Sequence, residues 1–244
     1  MSTALIFPGQ GSQSIGMMNV LAESSKVIQD TVTEASSALG YDLWELVTDG
    51  PTEKLNATEY TQPAMLTAGV ATWRTWLEAG GSVPALMAGH SLGEYTALVC
   101  AGAMSFADAV SLVSDRARFM QQAVPEGEGA MAAILGLDDD DVRKLCQENA
   151  ADEVLQPVNY NAPGQVVVAG SASAVSRLVD NAKAAGAKRA LQLPVSVPSH
   201  CALMQPASVR MSERLKEVTI TQAQVPVIHN VNVQTASGEE QVRQ

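Results

Sequence analysis

The chain is short of the features that would place it outside an ordinary compact protein. Its 244 residues hold three cysteines, Cys100, Cys146 and Cys201, odd in number and far apart. No CxxC or HExxH spacing occurs, so neither a disulfide framework nor a metal site is expected, and a reducing cytoplasm is the simplest compartment. No run of about 18 apolar residues exists to span a bilayer. The N-terminus, MSTALIFPGQ, lacks the basic region of a secretory signal. Basic residues are few: 15 Lys and Arg stand against 26 Asp and Glu, a formal net charge of -11. Such a surface repels nucleic acid and anionic membranes, and an anionic ligand would need a local basic patch. Internal repeats and low-complexity tracts are missing. With 46% hydrophobic residues there is ample material for a core, so a disordered chain is excluded.

What is present reads as α/β. Residues 3–7, TALIF, form a short buried strand that ends in the turn PGQGSQ. A helical pattern runs from about Met17 to Leu39. Another covers 63–78, with Trp73 and Trp76 three apart on one face. Residues 85–88 are a short apolar run, 89–93 a tight turn, 94–101 a helix and 105–123 a further helix, opened by a Ser105–Asp108 capping box. Composition shifts at VPEGEGA, residues 124–130. Beyond it the expected order is strand, helix, strand, strand, helix, strand, the ferredoxin-like arrangement. LPVSVPSH then leads back. We therefore expect a large α/β domain with a parallel sheet, residues 1–125 and 195–244, and a ferredoxin-like domain inserted at 126–194. The acidic run Asp138–Asp141 is read as a helix start, where carboxylates suit the dipole, rather than as a cation site.

Gly89-His90-Ser91-Leu92-Gly93 matches GxSxG between a strand and a helix, the context of a nucleophile elbow. Small glycines let the chain turn sharply. The helix behind it points free N–H groups and its positive dipole end at the site, so the N–H of Leu92 would face a developing oxyanion. A bare tight turn is the plainer alternative. A serine needs a base, and only His90, His200 and His229 exist. His90 sits inside the elbow and would point away. His229, in VIHNVN, suits a satisfied structural role. His200 follows a rigid Pro-Val-Ser-Val-Pro-Ser stretch of the kind that holds catalytic groups. Cys201 beside it is a rival nucleophile without an elbow. Arg116 and Arg118 cannot both face inward at helical spacing. Either could be surface charge, but a guanidinium in an apolar pocket would clamp a carboxylate. Gln10, after the first strand, could supply a second oxyanion donor or be only a turn residue. No GxxxxGK[ST] follows it, so it is not a phosphate loop.

FPGQGSQ, TQPA (Thr61–Ala64), AGHSLGEY (Ala88–Tyr95), Arg116 in DRARFMQ, NAPGQVVVAG (Asn161–Gly170) and VPSH (Val197–His200) occur in that order. Together they resemble the bacterial malonyl-CoA:acyl-carrier-protein transacylases of type II, or dissociated, fatty-acid synthesis, across essentially the whole chain. The resemblance implies a hydrolase-like α/β domain with an inserted ferredoxin-like one. It implies Ser91 as nucleophile, His200 as general base and then acid, Gln10 and the Leu92 backbone as oxyanion hole, and Arg116 as partner of the malonyl carboxylate. Gln62 and Asn161 would line the pocket. No metal or cofactor is implied, coenzyme A being part of the substrate. The partner would be an acidic acyl carrier protein, for which Lys183, Lys188 and Arg189 are the expected docking patch, and the chain is expected to be a monomer. Family members usually continue several dozen residues beyond position 244, so the large domain is expected to be C-terminally incomplete. The rival readings are a serine esterase or thioesterase, a truncated non-catalytic module that binds carrier protein, and a transferase for another extender such as methylmalonyl.

Overall fold

A computed structural model describes residues 3–195, 197–236 and 238–243. The chain divides into two compact units, one made of Met1–Ala117 and Met211–Gln244, the other of Arg118–Arg210. The breaks fall inside the helices Phe106–Ala123 and Gln205–Leu215.

The first unit carries a three-stranded parallel sheet. Strand β1 (Ala4–Phe7) pairs with β2 (Leu86–Gly89), which pairs in turn with a strand near the end of the chain, Val227–Ile228. Phe7 and Met87 face a core shared with Trp73, Ala97 and Leu98. The expectation of a buried first strand needs correction: Phe7 is buried, but Ile6 is 76% exposed. Successive side chains of a strand point to opposite faces, and the face that bears Ile6 stays open.

The helices around this sheet follow local chemistry. The pattern expected over 17–39 is two helices, Asn19–Ser24 and Lys26–Leu39, because Ser25 interrupts it in an extended conformation and caps the second through Val27 N–H. The helix expected at 63–78 begins earlier, at Thr58, and runs to Glu78 with Pro63 inside it. Trp73 and Trp76 do not share an environment. Trp73 is buried, whereas Trp76 lies 45% exposed and donates to the Ser82 carbonyl at 3.0 Å. A spacing of three residues is about 300° around a helix, enough to carry the second ring past the edge of the core face. The expected Ser105 cap of the helix Phe106–Ala123 forms, with Ser105 Oγ accepting the Asp108 N–H at 3.1 Å, while the Asp108 carboxylate accepts the Ser105 hydroxyl at 2.7 Å.

The second unit holds, in order, β3 (Gly129–Leu135), a helix (Asp139–Ala150), β4 (Leu155–Ala162), β5 (Gln165–Ser171), a helix (Ala172–Ala182) and β6 (Arg189–Gln192). The strands form one antiparallel sheet ordered β4-β5-β3-β6, which gives the ferredoxin-like topology. Strand β5 explains its own apolar run. Val166 and Val168 pack with Leu145, Val175 and Leu178 under the two helices, while Val167 and Ala169 pack on the other face with Met131 and Cys201. A strand covered on both faces has no polar alternation to show. The acids Asp139–Asp141 sit in the first helical turn, as the dipole favours, but Asp138 at the N-cap makes no side-chain capping bond.

Candidate active site

The candidate nucleophile is built by the crossing of β2 into the helix Gly93–Cys100. Ser91 adopts φ 50°, left-handed backbone that a residue with a Cβ enters only under constraint. The constraint is visible on both sides. His90 N–H donates to the Phe7 carbonyl of β1 at 3.0 Å, and Gly93 N–H turns back to the His90 carbonyl at 2.9 Å. A Cβ on Gly89 would lie 1.9 Å from the Gly93 carbonyl carbon, and one on Gly93 would lie 2.2 Å from the Phe7 carbonyl oxygen. Neither position tolerates a side chain, so both glycines of GxSxG are required by close approach of backbone to backbone. Leu92, 1% exposed, is the N-cap residue of the helix, so its N–H lies at the positive end of the dipole.

A third strut closes the turn from behind, and the sequence reading missed it. The Asn230 side-chain oxygen accepts the Ser91 N–H at 3.0 Å, and its amide donates to the Gly89 carbonyl at 2.6 Å and to Glu94. Glu94 accepts the Asn230 backbone N–H at 2.8 Å and meets His229 Nδ1 at 2.7 Å. His229 is buried, as a structural histidine should be. Glu94 was within reach of sequence reasoning as an acid in a helix's first turn. Asn230, well over a hundred residues away in sequence, gave no such signal.

Arg116 and Ser91 come together. The guanidinium donates through Nη2 to Ser91 Oγ at 3.3 Å and through Nη1 to Gln62 Oε1 at 2.6 Å. Gln62 is fully buried on the helix Thr58–Glu78, and the Tyr95 ring centroid lies 5.6 Å from the Arg116 guanidinium carbon. Burial raises the Tyr95 phenol above its ordinary pKa, with the charge of Arg116 pulling the other way, so the ring stays neutral. Arg214 braces the helix that carries Arg116, bonding Asp115 at 2.7 Å and Ser111 at 3.3 Å. Arg118, two residues on, is exposed.

Gln10 belongs to the loop after β1. Its side chain donates to Thr58 Oγ1 at 2.9 Å, at the start of the helix that bears Gln62. The loop rests directly on the elbow, since a Cβ on Gly9 would lie 2.6 Å from the His90 carbonyl oxygen. Ser91, Leu92, Arg116, Gln62 and the Gln10 loop thus form one cluster within the first unit.

His200 and Asn161 belong to the second unit. His200 is exposed in a turn after Pro198, at φ 68°. Asn161 is exposed near the end of β4. Cys201, the rival nucleophile, is buried and donates its thiol to the Pro198 carbonyl at 3.2 Å. Burial pushes its pKa up, which removes the thiolate that reactivity requires. Among the described residues no group of three or more His, Cys, Asp or Glu could hold a metal ion, and no helix is long and apolar enough to cross a membrane.

An elbow serine at a helix N-terminus, with a guanidinium in bonding reach of its hydroxyl, is the outline of an acyl-transfer site that handles an acidic acyl group. The chain belongs to the acyl transferase domain family, whose profile matches residues 4–243. It is 57% identical over 240 residues to the malonyl CoA-acyl carrier protein transacylase of Salmonella typhimurium, a match that covers 98% of this chain and 78% of that protein. The malonyl CoA-acyl carrier protein transacylase of Coxiella burnetii superposes with a TM-score of 0.98 at 50% identity, covering 100% of this chain and 77% of that one. A malonyl-transacylase solved in complex with its type II PKS acyl-carrier protein also gives 0.98, at 53% identity, covering 100% of this chain and 79% of that one.

Proposed function

We propose that the chain transfers malonyl from malonyl-CoA to the phosphopantetheine thiol of an acyl carrier protein, in fatty-acid biosynthesis, through an acyl-serine intermediate. The observation that carries the reading is Arg116 at 3.3 Å from Ser91 Oγ. A cation beside the nucleophile suits a thioester whose acyl group ends in a carboxylate, and serves no purpose in a plain esterase. The names borne by relatives at 57% identity support the same substrate and acceptor.

The cycle is ping-pong. His200 takes the Ser91 proton as Oγ bonds to the thioester carbonyl carbon. The carbonyl oxygen gains the negative charge and is held by the Leu92 N–H and the Gln10 side chain, a donor pair of the sort whose loss costs about 10²–10³ in rate for each member. Collapse breaks the C–S bond, and His200 returns the proton to the departing coenzyme A thiolate. The carrier-protein thiol then repeats both steps in reverse, giving its proton to His200 and regenerating Ser91 Oγ–H. Gln62 fixes the Arg116 guanidinium, and Asn161 lines the pocket. No cofactor is required by these steps. The domain read as 126–194 presents Lys183, Lys188 and Arg189 to the acidic carrier. The reaction belongs in the cytoplasm, where the free thiols Cys100, Cys146 and Cys201 stay reduced.

The test is an intact-mass spectrum after brief mixing with malonyl-CoA, beside a Ser91→Ala control. A malonyl adduct on the wild type alone is the expected result. Free malonate without an adduct or acceptor dependence would favour a hydrolase instead.

A further inference from the structure

The left-handed serine needs something to hold it, and the residue that does so lies outside the GxSxG motif. We infer that Asn230, fixed by Glu94, is a positioning residue for acylation: its one carboxamide ties together the two peptide groups that flank His90 and so sets the aim of Ser91. The inference rests on the acyl-serine reading above and goes beyond it.

The geometry is specific to an amide. The Asn230 oxygen accepts the Ser91 N–H at 3.0 Å while its nitrogen donates to the Gly89 carbonyl at 2.6 Å. Turning the carboxamide over would face donor to donor and acceptor to acceptor, so one orientation alone satisfies both partners. Glu94 fixes that orientation by accepting from the same Asn230 nitrogen and from the Asn230 backbone N–H at 2.8 Å, and its other oxygen is held by His229 Nδ1 at 2.7 Å. The arrangement therefore spans two elements, with Glu94 in the first turn of the helix after the elbow and Asn230 just beyond the strand Val227–Ile228.

Two consequences follow for the reaction. The strain of a non-glycine residue at φ 50°, on the order of 1–3 kcal/mol, is opposed by the Asn230 bonds to the Ser91 N–H and, one peptide earlier, to the Gly89 carbonyl. And the Ser91 N–H is spent on Asn230, which leaves the Leu92 N–H as the elbow's own donor to the oxyanion. Asn230 touches no reacting atom in this scheme. It acts through the backbone of Ser91, so its loss should lower the rate of the chemical step rather than the binding of malonyl-CoA.

The experiment measures the first-turnover rate of malonyl-Ser91 formation by quenched-flow intact mass, with the malonyl-CoA concentration dependence, for the wild type, Asn230→Ala and Asn230→Asp. The Asp variant keeps the shape and the acceptor for Ser91 N–H but sets a carboxylate against the Gly89 carbonyl and Glu94. Folding is checked by circular dichroism and thermal melting, and the Asp variant stands in if the Ala variant does not fold. Both are expected to slow acylation by roughly 10–100-fold, with half-saturation shifted less than about 3-fold. A folded variant that acylates at the wild-type rate, or one whose defect lies wholly in half-saturation, overturns the positioning role alone. A wild-type chain that forms no adduct removes the acyl-serine reading and this inference with it.

Discussion

The Arg116 guanidinium donates to the side-chain oxygen of a fully buried glutamine, Gln62, at 2.6 Å, while its second nitrogen reaches Ser91 Oγ at 3.3 Å. One arm is thus anchored in the helix Thr58–Glu78 and the other is presented to the nucleophile. A hydrogen bond to a charged group contributes about 1.5–3 kcal/mol, so Gln62→Leu, which keeps the volume and removes the acceptor, should cut malonyl kcat/KM by roughly 10–100-fold. In an Arg116→Ala background the same change should cost little, because the group it steadies is gone. Additive losses in this double-mutant cycle would separate Gln62 from Arg116.

Arg116→Ala itself should exchange selectivity for breadth. Leaving a substrate carboxylate without its partner in a half-buried site costs about 3 kcal/mol or more, on the order of 10²-fold in malonyl loading. Acetyl-CoA carries no carboxylate and should load faster on the variant than on the wild type. Competition between the two thioesters, read as the ratio of adduct masses, checks this. A variant that still strongly prefers malonyl would show that the clamp lies elsewhere.

The backbone of the elbow predicts an inversion between stability and activity. Ser91 sits at φ 50°, where glycine is at ease and alanine is not. Ser91→Gly should therefore be more stable than Ser91→Ala by about 1 kcal/mol, or roughly 2–4 °C in Tm, and neither should form an adduct. Gly93→Ala should behave in the opposite sense. Its Cβ would meet the Phe7 carbonyl oxygen at 2.2 Å, a clash with backbone that no rotamer relieves, so the protein should lose several kcal/mol and its acylation together, though Ser91 is intact. Equal melting temperatures for the Ser91→Gly and Ser91→Ala proteins would remove strain from the account.

The parts of this site that could be read from the sequence are those whose chemistry is local. GxSxG announces its turn because two glycines and a serine must be neighbours for the chain to bend there. Strand β5 shows as VVVA because burial on both faces leaves nothing polar to vary. Helical phase shows only that Arg116 and Arg118 cannot both face inward; the choice of Arg116 comes from the family resemblance. Asn230 has no such neighbour: its partners Gly89, Ser91 and Glu94 meet it through the parallel pairing of β2 with Val227–Ile228, and long-range pairing leaves no period in the sequence. The same holds for Ile6, whose exposure depends on what packs on one face of a sheet and not on the residue. The split of the helix expected at 17–39 was in principle visible, since Ser25 is a good N-cap, but a helical apolar pattern on both sides concealed it.

The buried cysteines should weaken the fold at alkaline pH. Burial pushes the Cys146 thiol up to about 12 and raises Cys100 and Cys201 as well. An unfolded thiol ionises near 8.5, so above that pH the unfolded chain releases protons that the folded chain keeps, and stability falls as pH rises. Below about pH 7 the three groups are protonated in both states and contribute almost no slope. For Cys146, 1% exposed, the loss approaches about 1.4 kcal/mol per pH unit between roughly 9 and its folded pKa. Denaturant titrations at pH 8 and pH 10 should show the drop, and Cys146→Ala should make the slope shallower even though the variant starts less stable. An unchanged slope would mean that the Cys146 thiol ionises as freely folded as unfolded.

Charge on the second unit should matter to one substrate and not the other. Lys183, Lys188 and Arg189 are exposed, at the end of the helix Ala172–Ala182 and at the start of β6, on a chain whose net charge is -11. Against that background a local basic patch is the surface on which an acidic carrier protein is expected to land. Lys188→Glu with Arg189→Glu should lower kcat/KM for the carrier protein by about 10-fold or more at low ionic strength, chiefly through slower association, and the gap should narrow as salt shortens the Debye length. Formation of the malonyl adduct from malonyl-CoA should be unaffected, because neither residue belongs to the Ser91–Arg116–Gln62 cluster. Steady-state rates at about 20 and 300 mM salt, beside the adduct assay, measure both. Carrier-protein kinetics identical to those of the wild type at low salt would move the docking surface off this patch.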